Sequence, residues 1–262
     1  MVHEADADTT TSIDSNGAVL IIGASGSIGR HAVAQALEAG HETRALVRRA
    51  DQDSLFPEGT RVVVGDPPDP DVLAHALDRV SAIVFTQGTY SDADAEQANY
   101  RPVKAMLEAL KAPARIAMMT ALGVTKPTTG HDWKRRAERL VRASGHPYTI
   151  VRPGWFDYNE PDEQHLVMRQ GDTHWAGNAS DGVVSRAQIA QALIASLNSD
   201  AADRKTFELV AEKGEAQADL DPLFAGLQPD VELDGPLDRD NLPLDAEPQD
   251  FLADLDTVRG RF

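Results

Sequence analysis

There is no cysteine in the 262 residues, which excludes disulfides, thiolate nucleophiles and cysteine-ligated metals and suits a reducing compartment. Redox chemistry, if any, has to be borrowed from a cofactor. Long apolar runs are missing too: none approaches the roughly 18 residues of a membrane span. The opening MVHEADADTTTSIDSNG lacks the basic start and apolar stretch of a signal peptide. The expectation is a cytoplasmic protein with no membrane partner. A basic field is also absent. The formal charge is -17, with four acids and no Lys or Arg in residues 1–16 and fourteen acids against four bases in 212–262. Residues 17–211 carry only -3, so the acidity belongs to the ends, whereas a salt-adapted surface would spread it over the middle as well. With no positive patch to displace counterions from phosphates, nucleic acid is excluded as the main partner. The histidines lack the i,i+4 spacing of a helical metal site and no metal is expected; no Gx₄GK[ST] loop and no internal repeat occurs.

What is present is alternation. Ala18–Ile22, Thr43–Val47, Arg61–Val64, Ala82–Thr86, Arg115–Met119, Tyr148–Arg152 and Thr206–Val210 are short runs of strand character. Between them the patterns at Ser27–Ala39, Asp71–Val80, Ala95–Lys111, Trp133–Ser144 and Arg186–Leu197 read as helices, with Pro102 a blemish inside one of them. Strand and helix in turn imply an α/β, doubly wound, mostly parallel sheet with helices on both faces. Ligands then bind beyond the carboxyl ends of the strands, at the loops near Gly23, Arg48, Asp66, Thr86, Thr120 and Arg152.

Gly23-Ala-Ser25-Gly26-Ser27-Ile28-Gly29 leaves the first strand and opens the first helix. Glycine there permits a tight turn, close approach of backbone amides to a diphosphate and close helix packing, and the helix N-terminus favours an anion. The loop therefore reads as a dinucleotide site. The GxxGxxG spacing resembles the short-chain dehydrogenase/reductase superfamily, especially its atypical NAD(P)H-binding, flavin reductase-like branch. VVVGD at 62–66, Asn99-Tyr100, Lys134 ahead of Ala137-Glu138, SGHPYTIVRPG at 144–154 and SRAQIA at 185–190 extend the resemblance over residues 18–211. It implies a Rossmann domain over 17–211 with substrate-side insertions around 155–185. Residues 1–16 read as a disordered lead-in and 212–262 as an acidic C-terminal extension.

The second strand ends in Val47-Arg48-Arg49, with no acid before Asp51. An acid there would favour a ribose 2′-hydroxyl, whereas arginine suits a 2′-phosphate, so NADP(H) is favoured over NAD(H). Asp66 resembles the family's adenine-contacting acid and is also a natural turn former; Thr86 closes the fourth strand. The superfamily's catalytic unit is a Tyr four residues before a Lys, and with Lys134 as the lysine the tyrosine position is Gly130. Thr120 is the candidate hydroxyl, His131 a candidate proton donor, and Lys134 the candidate ribose contact. The alternatives are a strand cap, a surface histidine and a solvent-facing lysine among Arg135, Arg136 and Arg139.

Cofactor motifs without the acid suggest an oxidoreductase that passes hydride to a planar small-molecule acceptor such as a flavin, quinone or conjugated carbonyl, with Trp155, Phe156 and Tyr158 offering flat surface. A non-catalytic NADP(H)-binding sensor or regulator is the alternative; the protein is expected as monomer or homodimer. The acidic extension has three readings. It folds over the crevice through Leu220, Leu223, Phe224 and Leu227, docks another subunit through Phe251, Leu252 and Leu255, or is a solvated linker with one helix near Pro248–Val258.

Overall fold

Ala18–Ile22 reads AVLII and is buried at every position, as a strand covered on both faces must be. It is β1 of the computed structural model, which describes residues 17–259 and 261–262; the lead-in at 1–16 lies outside the described residues. Successive strand side chains point to opposite faces, so Val19 and Ile21 enter one core and Ala18, Leu20 and Ile22 the other. The same alternation divides β2 (Thr43–Val47), β4 (Val80–Phe85), β5 (Arg115–Met119) and β6 (Tyr148–Pro153) between the two cores.

With β3 (Arg61–Val64) at the edge and β10 (Lys205–Glu212) inside, the spatial order is β3-β2-β1-β4-β5-β6-β10, all parallel. The order reverses between β1 and β4, the switch point at which a crevice opens in a Rossmann sheet. Beyond β10 the sheet turns antiparallel. β8 (His165–Arg169) and β9 (Val183–Val184) both pair with β10, and β7 (Trp155–Phe156) lies parallel on β9. These pieces come from the 155–185 insertions and complete a ten-stranded sheet. α1 (Gly29–Glu38) and α5 (Arg186–Leu197) cover one face through Ala32, Val33, Ile189 and Leu193. α2 (Pro70–Ala76), α3 (Arg101–Ala109), α4 (Thr129–Ala143) and α7 (Gln249–Val258) cover the other.

Several boundaries differ from expectation for identifiable reasons. α2 starts at Pro70, where the Asp69 carboxylate accepts from Asp71 N, and stops at Ala76 because β4 begins at Val80. The expected helix at 95–111 divides into a π-helical turn over Glu96–Tyr100 followed by α3. Pro102 therefore sits in the first turn of α3, where no N–H is needed. α4 starts four residues early because the Thr128 hydroxyl accepts from His131 N (3.2 Å). The two-residue strands β7 and β9 are too short to leave a periodic signal.

The acidic extension is neither linker nor docking face. Leu220, Phe224 on α6 (Asp221–Ala225) and Leu227 join the core under α1 and α5, while Phe251 and Leu255 join the opposite core, where Phe251 meets Tyr100. Its acids have partners. Asp230 accepts from Arg142 Nε (2.8 Å), and Asp234 from Arg135 and Arg139 (2.9 and 2.7 Å). Asp238 pairs with Arg152 (2.7 Å), and Glu247 with Arg136 and Arg139 (2.7 and 2.8 Å). Arg135 and Arg139, set with Arg136 in a solvent-facing group around Lys134 by one sequence reading, are buried, and so is Arg142.

Candidate functional site

The glycine loop between β1 and α1 closes on itself. Gly23 has φ +80°, and a Cβ there would lie 2.6 Å from Gln87 N; one on Gly29 would lie 2.2 Å from Gly23 O. Gly26 N donates to Gly23 O at 2.9 Å. Ile28 and Gly29 are buried, Ser25 is half-buried, and Gly26 and Ser27 stand exposed at the start of α1. Ile28, the N-cap of α1, gives no side-chain cap, and of the first-turn amides Arg30 N donates to Gly26 O at 3.1 Å. The loop has the geometry and donors for a diphosphate.

At the end of β2, Arg48 is exposed and has no hydrogen-bond or ion-pair partner among the described residues. Arg49 Nε instead holds Asp51 at 3.0 Å, so the acid nearest Arg48 is already paired. Asp66 is exposed after β3, its carbonyl accepting from Asp69 N (3.0 Å). Thr86 is buried, and its hydroxyl donates to Ile22 O at 2.9 Å. It ties the end of β4 to the end of β1 and leaves the crevice to other groups.

Two orphaned polar atoms lie where β4 leaves the sheet. Gln87 Oε1 and Asn99 Nδ2 are buried without a hydrogen-bond partner, while Asn99 Oδ1 accepts from Thr89 N (3.3 Å). Asn99 reaches this place from the π-helical turn ahead of α3, a local irregularity that proteins retain mainly at functional positions. A buried unpaired amide is costly unless a ligand or water completes it, so these atoms fit the polar end of a bound nucleotide. In the sequence Asn99 carries no spacing signal of its own.

The catalytic candidates divide. Thr120, at the end of β5, donates its proton to Glu138 Oε1 at 2.6 Å and has only lone pairs left for the crevice. Glu138 is fully buried. Burial pushes its carboxyl up, but Arg152 at 2.6 Å and Arg142 at 3.1 Å outweigh that and hold it near 2. Lys134, one turn earlier on α4, has no hydrogen-bond or ion-pair partner among the described residues; burial pulls it below the ordinary lysine range, with Glu138 opposing. His131 places Nδ1 3.2 Å from Lys126 O. Burial and then the Lys134 charge lower its pKa, so a neutral ring donates its only proton to the backbone and presents a lone pair at Nε2. Gly130 occupies the tyrosine position; its N–H donates to Asp92 (3.1 Å), and a Cβ would stand 3.3 Å from that carboxylate.

The loop after β5 has a buried fixture that the sequence reading missed. Asp172, fully buried at φ +47°, accepts from Gly123 N (2.6 Å), Thr125 N (2.7 Å) and the Thr125 hydroxyl (2.7 Å). A left-handed non-glycine residue is uncommon, but the Gly171-Asp172 turn is the one hint in the sequence. Trp155 and Tyr158 are exposed and meet edge to face with ring centres 6.0 Å apart, so they present one ring face each rather than the shared flat surface expected. Phe156 instead lies beneath the Arg186 guanidinium.

A family model described as NAD(P)H-binding matches residues 23–200, from the first glycine of the loop to the turn before β10. The chain belongs to the NAD(P)H-binding family. Among relatives of this family, YhfK of Bacillus subtilis, named as an uncharacterized sugar epimerase, is 29% identical over 73% of this chain and 92% of its own length. Sanguinarine reductase of Eschscholzia californica is 25% identical over 79% of this chain and 94% of its own. A short-chain dehydrogenase/reductase from Veillonella parvula, solved in complex with NADP, shares the fold with a TM-score of 0.57 at 18% identity. That likeness covers 78% of this chain and 98% of the other. Named members thus include reductases, and the short-chain dehydrogenase/reductase resemblance and the Rossmann sheet agree with the family. Among the described residues no helix is long and apolar enough to cross a membrane, and no group of metal-ligating side chains is found.

Proposed function

We propose that the protein is an NADP(H)-dependent reductase that delivers hydride to a planar, electron-poor small molecule such as a flavin, quinone or conjugated carbonyl. The observation that carries the cofactor preference is Arg48, an unpaired guanidinium at the end of β2 whose neighbouring acid, Asp51, is engaged by Arg49. Guanidinium binds a phosphate monoester in bidentate fashion. The NADP complex of the Veillonella protein and the reductase name of the Eschscholzia relative support the reading.

Bound NADPH would supply the hydride, and the chain's own groups prepare the site for it. The glycine loop and the α1 amides would hold the diphosphate, Arg48 the 2′-phosphate, and Lys134 the ribose at the reacting end. The proton that balances a hydride transfer would come from water or from the Lys134 ammonium, whose lowered pKa makes it a better donor. Conjugated acceptors need chiefly proximity and orientation, so glycine in the tyrosine position is tolerable. That same Gly130, with Thr120 committed to Glu138, supports a second reading: a protein that binds NADP(H) without turnover and reports redox state to a partner.

Titration with NADPH and NADH by nucleotide fluorescence tests the cofactor preference. Tighter NADPH binding that falls about tenfold or more in Arg48→Ala, with NADH unaffected, is expected from loss of one charge-assisted contact. Equal binding of both nucleotides by the wild type would overturn it. Absorbance loss at 340 nm over a quinone, flavin and enone panel then separates the reductase from the binding protein.

A further inference from the structure

The first residue of α5 reaches across to the glycine loop. Arg186 Nε donates to Ser27 Oγ at 2.9 Å, and its Nη1 pairs with Asp157. The Arg186 backbone N–H donates to the other Asp157 oxygen at 2.9 Å, and its guanidinium lies 5.4 Å from the centre of the Phe156 ring. Asp157 adopts φ +57°, a conformation a non-glycine residue keeps only when its surroundings fix it. The side chain is thus aimed by three contacts and still one-third exposed. Its Nη2 has no partner among the described residues. Because Ser27 accepts from Arg186, the Ser27 hydroxyl proton is left for another acceptor. An oriented guanidinium edge and a serine O–H therefore face outward together beside the exposed amides of the loop.

Building on the assignment of this loop as the dinucleotide site, we propose that Arg186 and Ser27 are ligands of the cofactor diphosphate, and that Asp157 orients Arg186 for that contact. The arrangement closes the phosphate site from the α5 side, which the α1 N-terminus alone leaves open. It also joins cofactor binding to β7 and the aromatic residues that follow it, because Asp157 lies between Phe156 and Tyr158. Besides Arg186, His31 on the exposed start of α1 stands near Asp157, and it offers no competing carboxylate.

The test uses binding, read by nucleotide fluorescence and by displacement with adenosine 2′-monophosphate, which has no diphosphate. Arg186→Ala is expected to weaken NADPH and NADH alike, by about ten- to a hundredfold, and to leave adenosine 2′-monophosphate unchanged. Arg48→Ala should do the reverse, altering only ligands with a 2′-phosphate. Arg186→Lys should recover part of the loss. Asp157→Asn keeps the backbone contact but loses the pairing with Nη1, so NADPH and NADH affinity should fall, by less than in Arg186→Ala. Unchanged NADPH and NADH affinity in Arg186→Ala, whatever its melting temperature, would overturn the proposal. Unchanged affinity in Asp157→Asn would overturn the orienting role of Asp157, and an equal loss of adenosine 2′-monophosphate affinity in Arg186→Ala would make Arg186 a strut between α5 and the loop. Failure of the wild type to bind either nucleotide would instead defeat the underlying dinucleotide assignment.

Discussion

Glu208 and Glu138 are both buried glutamates close to Arg152, yet they carry opposite charge states. Glu138 accepts from two arginines and Thr120 and stays ionised. Glu208, opposite Arg152 on β10, has an unpartnered Oε1. Burial, aided by Asp172 and Asp238 and opposed by Arg152, pushes its pKa up to about 8. Below 4.5, the ordinary value, both folded and unfolded chains hold this proton. Between 4.5 and 8 only the folded chain does, so stability falls as pH rises through that window. Glu208→Gln should remove this slope, and urea unfolding at pH 5 and pH 8.5 reads it; parallel slopes in the two proteins would refute the assignment. On the acid side, Glu138 and Asp234, each held near 2 by arginines against burial, lose their contribution as pH falls toward 2, from 4.5 for Glu138 and from 3.8 for Asp234. For Lys134, replacement by Met keeps the stem and removes the ammonium. Slower hydride transfer in single-turnover reduction, with NADPH affinity reduced less than tenfold, is expected if it serves the reacting end of the cofactor.

At the scale of elements, the parts that position the cofactor were legible and the parts that complete the site were not. β1, the glycine loop and α1 announce themselves because burial on both sheet faces demands an unbroken apolar run and the turn demands glycine at Gly23 and Gly29. The exposed position of Arg48 was legible because it depends only on where β2 ends. α4 misled for a physical reason. Arg135, Arg139 and Arg142 fall at i, i+4 and i+7, a stripe that in isolation is a solvated face. Its partners are roughly ninety to a hundred residues away, beyond any local pattern. A signal did exist: Asp230, Asp234 and Asp238 repeat every four residues with the opposite charge. Asn99 was legible only within the Asn99-Tyr100 resemblance and Asp172 only as part of a Gly171-Asp172 turn, since the π-helical turn and the left-handed aspartate are set by packing around them. Removing one partner of a fully buried pair costs about 3–5 kcal/mol. Arg152→Met should therefore lower stability by several kcal/mol in urea unfolding and release Thr120 by disturbing Glu138.

For the whole molecule, five of the fourteen acids of residues 212–262, Asp230, Asp234, Asp238, Glu247 and Asp254, turn inward onto bases, and the other nine are exposed. The extension wraps the outside of α4 with countercharges and sends Phe224 and Phe251 into opposite cores, so it belongs to the fold as much as any strand. Ending the chain after Gln228 would strip carboxylates from Arg135, Arg139, Arg142 and Arg152 at once. Several penalties of about 3–5 kcal/mol exceed the 5–15 kcal/mol by which a domain is stable. The truncated chain should show no cooperative melt by circular dichroism; a soluble, cooperatively folding product would show that the acids merely decorate α4.

The pairing of α4 with the extension also sets how this chain can diverge. An arginine stripe buried against aspartates is tolerable only while both are present, so the two segments, far apart in sequence, amount to one heritable part. A shorter family member given the extension alone would gain unpaired acids, and one given the α4 arginines alone would gain unpaired bases. Transfer of either half is disfavoured, and transfer of both is a single change of architecture.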